Sequence, residues 1–235
     1  MRQFVGSAEQ VRRGMEEVAA RVDAAAGRAG RDPGEVEILL ATKYLAAEHM
    51  GELIGAGVKL VGENRAQDLV AKHEIYGDAF TWDFIGHLQS RKTKSVLPLV
   101  RLIHSVDSLS VVQELQRRAQ NKVSVLLEVN IAGEDSKSGV HPAAVDRFLE
   151  AASAHGKVRF SGLMCMPPLS DPSESVRYFA RTRELAATLT DAWRGLYTFQ
   201  TLSMGTSSDY EVAVQEGATI VRVGSGVLFQ QTQEG

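Results

Sequence analysis

The sequence predicts an α/β fold, a closed (β/α)8 TIM-type barrel with an extra N-terminal helix, and three observations carry that prediction. Eight short apolar runs recur along the 235 residues, each joined to the next through a helical segment. The runs are apolar nearly throughout rather than alternating, as in strands buried on both faces of a parallel sheet. The first run ends in Leu40-Ala41-Thr42-Lys43-Tyr44, without the glycine-rich turn that an open, doubly wound sheet places there. An open sheet has the same alternation, but eight unbroken repeats suit closure better.

The extra helix is read from Val11, Met15, Val18 and Val22, whose spacing puts them on one face, with Arg12, Arg13, Glu16, Glu17 and Arg21 between them. It ends at the stretch 27–34, which carries Gly27, Gly34 and Pro33. The apolar runs then cover residues 36–43, 59–64, 82–87, 102–107, 123–131, 159–166, 201–205 and 219–229. Helical segments are expected over 46–56, 65–75, 90–97, 108–121, 142–155, 172–190 and 209–215. Ser108 suits an N-cap and Pro142 a first helical turn. The polar stretches 133–139 and 167–174 are short enough to be loops over a barrel rim. The tail 230–235 is polar and expected to fray.

Composition narrows the function classes. With 44% hydrophobic residues the chain has one good core, expected to span 1–235 as a single domain a little shorter than the usual barrel of about 250 residues. Lys+Arg 26 against Asp+Glu 29 gives −3, so no global field draws nucleic acid or an anionic membrane. The short basic run Arg91-Lys92-Thr93-Lys94 reads as a solvated helix face. No run approaches the roughly 20 apolar residues of a membrane span, and Met1 to Gly6 does not open a signal peptide. A lone cysteine, Cys165, excludes an internal disulfide and reads as a buried structural thiol. A cytoplasmic monomer without a metal site is expected.

In a barrel the reactive groups stand at the C-terminal ends of the strands. Lys43 ends the first run and shares strand parity with Leu39 and Ala41, so hydrocarbon around it would lower its pKa and favour the neutral, nucleophilic amine. Its position alone fits equally a residue just past the strand that points into water. Arg222 lies within Ile220-Val221-Arg222-Val223, where an unpaired charge is costly, and closure would bring this eighth strand beside the first. The alternative is a structural ion pair with Glu37 or Glu128. After Arg222 come Gly224, Ser225 and Gly226, and the seventh run leads into Gly205-Thr206-Ser207-Ser208-Asp209. Two adjacent strands ending in glycine and hydroxyl residues suit a phosphate. With a lysine nucleophile and an arginine they suggest a phosphorylated carbonyl compound, and pyridoxal 5'-phosphate (PLP) meets that description.

Further stretches sharpen this reading: Gly62-Glu63-Asn64-Arg65-Ala66-Gln67, Phe84-Ile85-Gly86-His87-Leu88-Gln89-Ser90 and His104-Ser105-Val106-Asp107-Ser108. Asn130 with Lys137-Ser138-Gly139, Gly162-Leu163-Met164, Leu202-Ser203-Met204-Gly205 and Val221-Arg222-Val223-Gly224 complete the series. In these motifs, in order along nearly the whole chain, the sequence resembles the YggS/PROSC-type pyridoxal phosphate homeostasis proteins, relatives of the N-terminal barrel of alanine racemases. The resemblance implies that Lys43 holds PLP as a Schiff base and that Arg222 faces the pyridine nitrogen. It implies that Ser207, Gly224 and Ser225 hold the phosphate, that Asn64, His87 and Met204 lie around the ring, and that Lys137 is a second lysine near the site. Read without the resemblance, Lys137 is a solvated loop charge. The sequence departs from the family at Arg91, often Asn, and at Thr206, often Met, which adds a hydroxyl beside Ser207.

Three functions share these residues. A carrier binds PLP reversibly, limits free aldehyde and passes the cofactor to apo-PLP enzymes. An amino-acid racemase needs acid/base groups on both faces of the substrate carbanion. By the resemblance alanine racemases take the second from an added β-domain, for which the sequence shows no counterpart after the eighth run. A cofactor-free aldolase would use the same lysine and phosphate cup. The expectation is a non-catalytic PLP-binding protein of vitamin B6 homeostasis.

Overall fold

The computed structural model describes residues 6–134, 137–168 and 172–228. The tail expected to fray lies outside them, as do the middle of the 133–139 loop and part of the 167–174 loop. Helix α1 (Ala8–Arg28) opens with a capping box, in which Ser7 Oγ accepts from Gln10 N and Gln10 Oε1 accepts from Ser7 N. It buries Val11, Val22, Ala25 and Ala26, with Met15 and Val18 partly covered, as the spacing requires.

The strands are β1 (Glu37–Ala41), β2 (Leu60–Glu63), β3 (Thr81–Phe84), β4 (Leu102–Val106), β5 (Val123–Val129), β6 (Val158–Cys165), β7 (Thr201–Thr206) and β8 (Ile220–Val223). They pair in parallel in sequence order, and β8 closes on β1 with Leu39 opposite Arg222. The closed barrel is therefore as expected, and each strand lies within its apolar run to one residue. Two runs overshoot. The chain leaves the sheet after Phe84 and after Val223, and the apolar Val227 and Leu228 are buried from a short helix, α9 (Ser225–Leu228), rather than a strand.

Between the strands lie α2 (Met50–Gly55), α3 (Ala66–Tyr76), α4 (Thr93–Val96), α5 (Leu109–Arg118), α6 (Val145–Ser153), α7 (Pro172–Ala192) and α8 (Tyr210–Gln215). Pro142 opens a 3-10 turn ahead of α6, as a first-turn proline should. Ser108 occupies the N-cap of α5, but its hydroxyl meets Ser110 Oγ at 3.2 Å instead of a helix N–H, a correction to its expected capping role. No helix among the described residues is long and apolar enough to cross a membrane.

Period-two alternation divides the strands into two packings. Outward residues such as Leu40, Phe84, Leu127, Leu163, Met204 and Val221 join the large core under the helices. Leu39, Leu102, Leu126, Met164 and Ile220 form a separate cluster from strands alone, which fills the barrel interior.

Two buried polar systems cross this hydrocarbon. One lies outside the barrel: Lys72 of α3 donates to Glu63 Oε1 at 2.5 Å and to the Thr42 carbonyl at 2.9 Å, while Thr42 Oγ1 donates to the same carboxylate. Lys72 is 5% exposed and Glu63 not at all. The other runs through the barrel. Glu37 and Arg101 pair near its N-terminal end at 2.6 Å, and Arg101 grips Asp83 with two bonds of 3.0 and 2.7 Å. Asp83 Oδ2 meets His104 Nε2 at 3.1 Å, His104 Nδ1 meets Ser203 Oγ at 2.8 Å, and Ser203 Oγ accepts from Arg222 Nη1 at 2.6 Å. Burial lowers the His104 pKa despite the Asp83 carboxylate, so the imidazole is neutral. Burial alone would raise the Asp83 carboxyl, but hydrogen bonds from His104 and Arg101 hold it below the usual range.

Both systems predict measurable stability effects. The unfolded chain protonates His104 below about pH 6.5 and the native state resists, so stability is full above that pH and falls as acid is added toward the native pKa. Denaturant titrations across this window should show a slope of up to about 1.4 kcal/mol per pH unit from this proton, reduced in His104→Gln. An unchanged slope would assign the acid sensitivity to other groups. Lys72→Met strands the Glu63 carboxylate, and urea unfolding should register a loss of about 3–5 kcal/mol, much of it recovered in Lys72→Met with Glu63→Gln.

Candidate functional site at the C-terminal mouth of the barrel

Lys43 stands at the mouth, in the turn after β1, and is exposed, with Nζ 4.8 Å from the centre of the Tyr44 ring. Of the two readings open for this amine, the structure follows the one that sets it beyond the strand: β1 ends at Ala41, two residues earlier, so strand parity does not set the direction of the side chain. The anchoring is behind it. Thr42 is fully buried, its N–H donates to Gly62 O at 3.0 Å, and its carbonyl accepts from Lys72. An exposed side chain thus rises from a fixed backbone.

Arg222 is the deep member of the site, 5% exposed. It does not form the ion pair considered with Glu37, which Arg101 takes, and it makes no hydrogen bond to Glu128. Instead Nη1 donates to the carbonyl and hydroxyl of Ser203, both at 2.6 Å, and Nη2 donates to the Cys165 carbonyl at 3.0 Å and to Met166 Sδ at 3.1 Å. Burial lowers its pKa, though a guanidinium keeps its charge at any working pH. Ser203, His104 and Asp83 have the composition of a hydrolytic triad, but all three are fully buried and Arg222 caps the serine oxygen. They are no nucleophile. Cys165 is buried as expected, its thiol pushed up to about 11 by burial and so unreactive.

The glycine-hydroxyl ends of β7 and β8 do converge. Gly224 N donates to Ser207 Oγ at 3.1 Å, which leaves the serine O–H to donate elsewhere. Gly205 has φ +87 and packs so closely that an added Cβ would fall 2.5 Å from Ala213 Cβ. Asp209 Oδ1 accepts from the amide and hydroxyl of Thr206, at 2.6 and 3.1 Å, so the extra hydroxyl at Thr206 is consumed in shaping the turn. Ser225 begins α9; its side chain lies outside the described part of the structure.

Around the rim, Asn64 directly follows β2, and its Oδ1 is buried without a hydrogen-bond partner. Only a glycine lets residue 86 pass over it, since a Cβ there would meet Asn64 O at 2.1 Å. His87 is exposed, with Nδ1 3.7 Å from Asp107 Oδ2, while Asp107 Oδ1 is buried and unpartnered. Lys137 is exposed in the loop after β5, whose shape Asn130 holds by donating to Glu134 O and Lys137 O. Met204 is not brought to the mouth. It is fully buried in the core beneath the helices, on the opposite face of β7 from Ser203, which corrects its expected place beside a bound ring.

Sequence reasoning missed the role of Glu128 and the groups beneath Arg222. Glu128 is 7% exposed, and burial first, then the Asp107 charge, push its pKa up to about 7 despite Arg222. It is thus divided between acid and carboxylate near neutral pH. The buried relay did have a signal: Asp83, His104 and Ser203 each interrupt an apolar run with a polar residue at the strand's third position.

Known proteins resemble the chain over most of its length. The family profile for the alanine racemase N-terminal domain matches residues 40–231. The pyridoxal phosphate homeostasis protein of Aquifex aeolicus is 40% identical over 214 residues, covering 89% of this chain and 92% of that protein. Its counterpart from Pseudomonas aeruginosa is 39% identical, covering 90% and 91%. PipY of Synechococcus elongatus, solved with PLP bound, superposes with a TM-score of 0.77 at 32% identity, over 90% of this chain and 99% of that one. A family match over most of the chain, with curated relatives up to 40% identical over nearly their whole length, settles its kinship: the chain belongs to the pyridoxal phosphate homeostasis proteins of the alanine racemase N-terminal domain family.

Proposed function

We propose that this protein binds PLP at the C-terminal mouth of its barrel, holds it as a Schiff base on Lys43, and thereby contributes to intracellular vitamin B6 homeostasis. The observation that carries this reading is the meeting of Ser207 and Gly224, which joins two adjacent strand ends into one anion cup. Arg222 lies inside β8, two residues before Gly224. The remaining residues fit a phosphorylated aldehyde. An accessible amine can condense with the carbonyl, a guanidinium supplies fixed positive charge, and Asn64 Oδ1 is an acceptor awaiting a donor. The PLP held by PipY and the names of the bacterial relatives support the same ligand.

When bound, PLP supplies an aldehyde that amines capture reversibly. The protein's own residues fix the phosphate and the ring while Lys43 holds the carbon. In a holding role an incoming amine would take the place of Lys43 on the aldehyde carbon. Apo-enzymes that use PLP are the acceptors this reading implies, in the cytoplasm. Racemisation would require a second acid/base group facing Lys43 across the substrate. Holding needs only the one amine.

The protein should purify yellow or become so with PLP, and borohydride reduction followed by peptide mapping should place the adduct on Lys43. Lys43→Ala should lose it entirely, while an adduct on Lys137 with Lys43 unmodified would overturn the assignment. Incubation of the PLP-loaded protein with D- or L-alanine should give no interconversion above that of free PLP. Steady turnover would establish the racemase in place of the carrier.

A further inference from the structure

Resting on the reading that PLP occupies the mouth, we propose that Ser203 and His104 are positioning residues that, through a one-directional hydrogen-bond chain anchored on Asp83, aim Arg222 at the cofactor ring. The argument begins with the donors of Arg222. A guanidinium has five N–H bonds, and four are taken by Ser203 O, Ser203 Oγ, Cys165 O and Met166 Sδ. Among the described residues, Nε–H is the donor with no partner. The guanidinium plane is therefore fixed by its two terminal nitrogens, and a single N–H is left for a ligand.

The direction of the chain follows from proton counting. Ser203 Oγ accepts from Arg222, so its own O–H points to the neighbouring acceptor, His104 Nδ1, at 2.8 Å. His104 is neutral, so its one proton sits on Nε2 and is donated to Asp83 Oδ2 at 3.1 Å. Asp83 can only accept, because the two bonds from Arg101 hold it ionised. Each group has one admissible orientation. Reversing any of them would leave a buried donor facing a donor, at a cost of about 1–3 kcal/mol.

This order reaches the cofactor through charge. Among the described residues Arg222 has no carboxylate in hydrogen-bond contact; Asp209 and Glu128 act on its charge from further off, and the oriented Ser203 and His104 dipoles that end at Asp83 set its direction. Removing the serine hydroxyl frees a donor on Nη1 and leaves His104 Nδ1 unsatisfied, and the guanidinium, held by its three remaining bonds, settles at a different angle. A ring nitrogen facing it would meet a different donor at a different angle, which changes the electron demand of the bound ring.

Three measurements on the full-length protein decide this. In the cofactor-free protein, 15N NMR of labelled histidine should show His104 neutral with its proton on Nε2. A Nδ1–H tautomer or an imidazolium overturns the chain. With PLP, Ser203→Ala and His104→Gln should still give the Lys43 borohydride adduct but bind PLP about two- to tenfold more weakly, the effect of one lost hydrogen bond. Their visible absorption band, and the pH at which it changes, should differ from those of the unaltered protein. Ser203→Thr, which keeps the hydroxyl, should restore both. Folded variants with unaltered spectrum and affinity would reduce the chain to packing and sink the proposal. If the unaltered protein takes up no PLP, the functional reading fails instead, and the histidine spectrum still tests the chain.

Discussion

The barrel is organised around a positive charge that it must keep inside hydrocarbon. Arg222 sits level with Leu39, beside the apolar cluster of the barrel interior, where an isolated guanidinium would be prohibitively costly. Salt-bridging it directly would neutralise the field that makes it useful to an anionic or electron-rich ligand. The structure surrounds it with carbonyl and hydroxyl oxygens and keeps carboxylates out of hydrogen-bond contact: Asp209 and Glu128 act on it from further off, and Asp83 lies beyond Ser203 and His104. The consequences reach the far end of the barrel, where Arg101 and Glu37 complete the charge balance. A polar axis thus replaces part of the usual layered hydrocarbon, and strands 1, 3, 4, 7 and 8 are committed to it.

Outside the strands a second constraint acts on the same end of the molecule. Lys72 and Glu63 form a buried ion pair that also holds the Thr42 carbonyl, and Thr42 and Glu63 immediately precede Lys43 and Asn64. Such a pair adds little net stability over a hydrocarbon replacement, since desolvation consumes most of the Coulombic gain. What it does supply is a fixed geometry for two backbone positions at the rim. The inner axis fixes the deep guanidinium, the outer pair fixes the root of the lysine, and the Ser207 contact with Gly224 joins the ends of β7 and β8.

Much of this was legible in the sequence because it rests on periodicity and chain order. Eight apolar runs with helices between them dictate parallel pairing and closure, and the strand ends then point to Lys43, Arg222, Ser207 and Gly224. Errors fell where strand parity stops applying. Lys43 lies two residues beyond its strand, so its exposure is decided by a turn. Met204 is on the outward face of β7, a matter of parity that the motif match overrode. The eighth run continues as apolar sequence after Val223 although the chain has turned into a helix, because Val227 and Leu228 can be buried either way. The relay was harder to see. Three polar residues in three strands are visible, but their contact depends on barrel closure and stagger, which no single strand encodes.

The contrast between the two cations bears most directly on function. Arg222 is immobilised with four donors engaged, whereas Lys43 is exposed beside Tyr44. An enzyme that breaks bonds on its cofactor gains from burying the lysine as well, since a dry amine stays neutral and ready to take a proton and water is excluded from the reaction. A carrier has the opposite need. It must bind tightly through groups that do not react and release through one that does. In the proposed complex the contacts to phosphate and ring would supply the first, and Lys43 the second. On this reading the same lysine that an enzyme would use to transform a reactive aldehyde serves here to hold it.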